Sequence, residues 1–205
     1  TVLASEFVHP DLVQAVGRRV FDSDAGVRSA AYRALSVLYA CEVEFMQLIE
    51  RLRASARDDR DLELQVASVD ALGRLRDADS FDFLVSLLER DETKLLRATH
   101  ASLVRLSCQD FGITTKKWRA WIEKNAERHR VEWLIDSLTH PDERLRRRAI
   151  DELKHLTQEC FGYDPELPKK EREAAQRQYR AWWQRVGFRL FTSSGSGDSG
   201  QAHGE

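Results

Sequence analysis

The sequence predicts an all-α fold, an α-solenoid of about four antiparallel helix pairs with two short extension helices. Three observations predict it. Apolar residues recur at helical spacing along most of the chain. One template of capping acid, small residues and leucines returns four times. The 205 residues hold only 10 Gly and 4 Pro against a charged fraction of 32%, which suits helices with one buried stripe and broad wet faces.

Taken in order, His9-Pro10-Asp11 opens a first helix with Leu12, Val13, Val16, Val20 and Phe21 as its apolar positions. Asp22-Ser23-Asp24 breaks it with capping residues, and a second helix follows with Val27, Ala31, Ala34, Leu35 and Leu38 on one face. Helices joined by so short a turn are antiparallel neighbours. The next pair runs from Val43 to Leu52 and from Leu64 to Leu75, across a break at residues 57–61. A third runs from Phe81 to Leu88 and from Leu95 to Leu106, a fourth from Val131 to Leu138 and then from Asp142 to Leu156.

Alignment of the second helices exposes the template. Val27, Leu64, Leu95 and Leu145 share its first position, and Ala31, Ser68, Thr99 and Ala149 stand four residues on. Next come Ala34, Ala71, Ser102 and Glu152, then Leu35, Leu72, Leu103 and Leu153, and last Leu38, Leu75, Leu106 and Leu156. An acid precedes the first position by three residues each time, as Asp24, Asp61, Glu92 and Asp142. In the first turn an acid meets exposed amides and the positive helix end. The spacings Asp24–Arg28 and Asp142–Arg146 also suit i,i+4 ion pairs. Small central residues let helices approach closely, and the leucines fill the space between layers. One pair cannot bury its stripes alone, whereas a stack can.

The last two pairs carry additions. Phe111-Gly112 and Phe161-Gly162 lie at equal offsets after Leu106 and Leu156, with each glycine placed to end a helix in a left-handed turn. Each is followed by an aromatic-Arg-Ala-Trp motif, Trp118 to Trp121 and Tyr179 to Trp182, the second delayed by an insertion around Pro165-Glu166-Leu167-Pro168. The pairs therefore span about residues 8–40, 42–76, 78–126 and 129–186 of one domain at 1–191. Residues 192–205 have no apolar pattern and are expected to be disordered.

Formal net charge is −2, without the basic surplus of a general nucleic-acid binder. Residues 1–90 hold 11 Lys/Arg against 16 Asp/Glu, and residues 91–191 hold 21 against 16. Cys41, Cys108 and Cys160 lack paired spacing and suggest a reducing compartment, so a cytoplasmic location is expected. No apolar run reaches the length of a membrane span. The chain opens on Thr1 rather than Met, which suggests a piece of a longer protein.

The segments Val27-Arg28-x-x-Ala31-x-x-Ala34-Leu35-x-x-Leu38 and Leu145-Arg146-x-x-Ala149-x-x-x-Leu153-x-x-Leu156 resemble HEAT repeats of the short bacterial type, over about residues 8–160. The segments at about 108–126 and 158–186 resemble extensions found in some bacterial HEAT-repeat proteins. Gln65 and Leu96 depart from the repeat's arginine, and Glu152 from its small residue. The resemblance implies a right-handed superhelix whose second helices line a concave, partner-binding surface. Fold alone does not give function.

Stacking would align Arg74, Arg105 and His155 at one offset and Arg97 and Arg147 at another, a surface for an acidic protein partner interrupted by Asp70 and Asp151. Trp118, Trp121, Trp182 and Trp183 invite base stacking, with Lys116, Lys117, Arg119 and Lys124 around the first two. Their repetition at one place in two pairs favours packing instead. Arg144, Arg146, Arg147 and Arg148 are expected on a solvated surface balanced by Asp142, Glu143, Asp151 and Glu152. No cofactor or metal is expected, because the His-Glu dipeptides of HEAT-like iron hydroxylases do not occur. The expectation is a non-catalytic protein-interaction scaffold that binds a protein partner, its identity not given by the sequence, on the concave or helix-edge surface. A DNA glycosylase-like nucleic-acid binder is the alternative, and a bilin-lyase-like enzyme stands further off.

Overall fold

A computed structural model of the chain describes residues 15–37 and 42–192. Leu12, Val13, Leu38, Cys41 and the tail from residue 193 lie outside the described residues. Those described are helices, turns and loops, with no strand among them. The structure divides into two compact units, residues 1–127 and 128–205.

In the first unit, a 3-10 turn at Arg19–Phe21 precedes α1 (Ala25–Val37), α2 (Glu42–Asp58) and α3 (Leu62–Leu75). Then come α4 (Phe81–Leu87), α5 (Thr93–Ser107) and the extension α6 (Thr115–Glu123). The leucines at the template's inner positions, Leu35, Leu72 and Leu103, are fully buried, as are Ser68, Thr99, Ala71 and Ser102. Val27 is an exception: at the template's first position it is 37% exposed, where Leu95 is 0%.

The small residues have two distinct tasks. At the first small position, Ser68 Oγ donates to Ser55 Oγ across the α2–α3 pair at 2.9 Å. At the next, Ser102 Oγ on α5 donates to the Val69 carbonyl of α3 at 2.9 Å. A Cβ on Gly73 would stand 2.5–2.8 Å from Ser102 atoms, so the two helices touch backbone to side chain there. Lys94 pairs with Glu63 near the helix starts, and Arg105 with Asp70 further along. These contacts make α3 and α5 parallel neighbours, each a second helix of its pair.

Three template acids act as helix caps: Asp24 accepts from Val27 N, Asp61 from Glu63 N and Asp142 from Arg144 N, at 2.8–2.9 Å. Glu92 makes no cap bond and lies 3.2 Å from Arg90. The arginines four residues on do something other than the expected i,i+4 pairing. Arg28 donates to the carbonyls of Asp22 and Ser23, and Arg146 to those of His140 and Pro141, all at 2.8–2.9 Å. Gln65 donates in the same way to Asp59 O at 2.8 Å. In these three pairs the long polar side chain reaches back six residues and satisfies carbonyls that the interhelical turn leaves over. Gln65 thus keeps the arginine's role rather than losing it.

In the second unit, α7 (Arg130–Ser137) and α8 (Glu143–Thr157) form the pair, followed by α9 (Lys169–Trp182), a π turn at Trp183–Gly187 and α10 (Phe188–Thr192). Glu152 is buried, and its Oε1 lies 2.6 Å from Arg130 Nη1. The acid replaces a small residue because α7 supplies a buried cation opposite it. Arg146, only 7% exposed, is not a surface residue.

The helix-ending glycines were misplaced by sequence. The left-handed stops are Cys108 (φ 52°) and Gln158 (φ 57°), four residues before Gly112 (φ 61°) and Gly162 (φ 66°). The glycines instead shape the turn that follows. Phe111 meets Trp118 edge-on at 4.8 Å, and Phe161 meets Tyr179 edge-on at 4.6 Å. Trp118 Nε1 donates to Gly112 O at 2.7 Å, and Tyr179 Oη to Glu159 O at 2.9 Å. Both extensions are clamped to their turns alike. The second is not short: α9 has 14 residues, and Gln176 ties it to the Ile135 carbonyl of α7 at 2.8 Å.

Candidate interaction face on the second helices

Within the first unit, packing of α1, α3 and α5 gathers four side chains. Arg74 Nε donates to Asp70 Oδ2 at 2.7 Å, one helical turn away on α3. Arg105 Nη1, from α5, donates to Asp70 Oδ1 at 3.1 Å. The Arg74 guanidinium also lies over the Tyr32 ring of α1, 5.3 Å from its centroid. Asp70 therefore joins two arginines of neighbouring pairs rather than interrupting them.

The cluster is graded in exposure. Side chains of Arg74, Asp70 and Arg105 are 41%, 33% and 26% exposed, so solvent reaches them. Tyr32 beneath is 6% exposed, and its hydroxyl has no hydrogen-bond partner. Burial, and then the charge of Asp70, push the Tyr32 phenol up to about 12, so it is a neutral hydroxyl in ordinary buffers.

The remaining candidates are placed differently. Arg97 is exposed on α5, two turns before Arg105. Arg147 and His155 belong to α8 in the second unit. Arg147 is engaged by Glu143 at 3.0 Å and Glu166 at 2.7 Å, and these hydrogen bonds raise its pKa. His155 is exposed.

Of the tryptophans, Trp118 is fully buried, Trp182 and Trp183 are nearly so, and Trp121 is half-buried. Phe81 of α4 contacts Trp118 at 5.9 Å and Trp121 at 5.3 Å. Trp183 lies 5.0 Å from the His129 ring and 5.7 Å from that of Phe191. A base could not stack on Trp118 without unpacking the extension.

Sequence reasoning missed Tyr32, and it took Asp70 for a flaw. The Asp70–Arg74 spacing of four was a readable signal. The reach from Arg105 was not, because it depends on how neighbouring pairs are staggered.

Among the described residues, no group of three or more His, Cys, Asp or Glu is arranged to hold a metal ion, and no helix is long and apolar enough to cross a membrane. Comparison with known protein families, curated proteins and solved structures gives no match in any of the three.

Proposed function

We propose that this chain is a HEAT-like α-solenoid that serves as a non-catalytic protein-interaction scaffold, taking an acidic protein partner along its second helices. The observation that carries the reading is the Arg74–Asp70–Arg105 bridge. Parallel packing of α3 and α5 through Gly73 and Ser102 presents two guanidiniums from successive pairs at one solvent-reached edge. Repeat arrays bind extended partners through such ladders, and complementary charge sets both the speed and the choice of partner.

Affinity capture with the whole chain tests this. The comparison is between the wild type, the triple variant Arg74→Gln, Arg97→Gln, Arg105→Gln, and a control carrying Lys116→Gln, Lys117→Gln and Lys124→Gln. The wild type and the control are expected to retain the same acidic proteins, and the triple variant to lose them. Equal retention by all three, or tight DNA binding by the wild type at physiological salt, would overturn the reading.

A further inference from the structure

A helix that is apolar on two sides is normally covered on both. Helix α9, the π turn and α10 form one continuous helical run, and its last turns have that character. The inner side is filled by Trp182 and Trp183, and a Cβ on Gly187 would stand 2.6–2.8 Å from their rings. On the outside, Val186, Phe188 and Leu190 are 46%, 51% and 58% exposed. Residues 193–205 carry one apolar side chain, Ala202, so their composition does not suit them to cover such a patch.

Positive charge accompanies it. Lys170, Arg177 and Arg185 are exposed on the same run, at spacings of seven and eight residues. Seven residues return to one face of an α-helix, and the π turn takes up the eighth, so the three form a single stripe. Among the described residues no carboxylate pairs with any of them, whereas Arg180 on the flank is held by Asp136 at 2.9 Å. From residue 174 to residue 192 the chain has no Asp or Glu.

Going beyond the protein-interaction reading, we propose that this run is a peripheral docking element that lies on an anionic lipid surface, with Val186 and Leu190 entering the boundary between headgroups and acyl chains. Lys170 and Arg185 stand fifteen residues apart, which is about 23 Å of helix. One small anion cannot span that distance, and a plane of anionic headgroups does. Long lysine and arginine stems let the charges stay at headgroup level while the apolar side chains sink past them. A second copy fits less well, because twofold pairing of the stripe would set like charges face to face.

Co-sedimentation of the whole chain with vesicles tests this, using phosphatidylcholine alone and phosphatidylcholine mixed with phosphatidylserine, with circular dichroism on every variant. The wild type is expected to bind the mixed vesicles, less so at high salt, and not the neutral ones. A basic residue near such a surface contributes about fivefold in affinity, so Arg177→Gln with Arg185→Gln should weaken binding about twentyfold. Val186→Ser with Leu190→Ser should weaken it about five- to tenfold at an unchanged melting temperature, since both side chains already face solvent. The Lys116→Gln, Lys117→Gln pair on α6 should leave it unchanged.

Absence of binding to the mixed vesicles would overturn the proposal. So would equal binding to both vesicle types, or a loss from the α6 pair as large as that from the Arg177, Arg185 pair. A wild type that dimerises in gel filtration, beside a Val186→Ser, Leu190→Ser variant that stays monomeric, would assign the patch to a second copy instead. Loss of the captured acidic proteins by that same variant would assign it to a protein partner.

Discussion

His129 shows how one side chain couples packing to titration. Its Nδ1 accepts from Val131 N at 3.2 Å and caps α7, while Glu132 returns to the His129 amide at 3.2 Å. Stacking against Trp183 and Phe191 keeps the ring out of water, and burial lowers its pKa from the ordinary 6.5 despite the opposing charge of Glu132. Protonation would turn the accepting nitrogen into a donor and break the cap. With a depressed folded-state value, the contribution is present above 6.5 and is lost as pH falls through that lower value. Loss of the cap is expected to cost about 1 kcal/mol. Melting curves at about pH 8 and about pH 5 should show the wild type losing more stability than His129→Asn, whose cap does not titrate over that range. Equal losses would contradict the assignment. The capping acids were legible in the sequence because caps are local. The backward reach of Arg28, Gln65 and Arg146 was not, since it depends on the shape of the turn each one seals.

At the scale of elements, the second helices were readable because leucines and small residues repeat at fixed offsets, and their observed bounds lie within a few residues of the expected ones. The length of α9 was hidden for a physical reason. Its first two turns bury little beyond Ala175 and Gln176, and Gln176 docks through a hydrogen bond rather than an apolar stripe. Periodicity of hydrophobic residues cannot report a contact of that kind. The close approach of α3 and α5 makes a sharper claim. Gly73→Ala adds helix propensity worth about 1 kcal/mol, yet its Cβ would enter the space held by Ser102. A net loss of about 1–3 kcal/mol is expected by chemical denaturation, with Ser102→Gly restoring part of it in the double variant. A stabilised Gly73→Ala protein would show that the helices do not meet there.

For the whole molecule, all-helical architecture followed from composition and period, and it is what the structure has. The function did not, because no catalytic constellation announces itself and a binding face is built from residues that look like ordinary solvated charge. His155 shares its offset in the sequence with Arg74 and Arg105, while Arg97 and Arg147 share another. Of these five, Arg74 and Arg105 are drawn to a common carboxylate, and Arg74 lies over the ring of Tyr32 from the first of the aligned helices. The proposed interaction face is thus a product of packing between pairs. Hydrogen–deuterium exchange of the whole chain, with and without saturating Glu-rich peptide, tests that most directly. Slowed exchange is expected in the peptides covering Tyr32, Asp70 to Arg74 and Arg105, on α1, α3 and α5. Slowing confined to Thr115–Glu123 or Lys169–Trp182 would place the contact on the extensions and contradict the account.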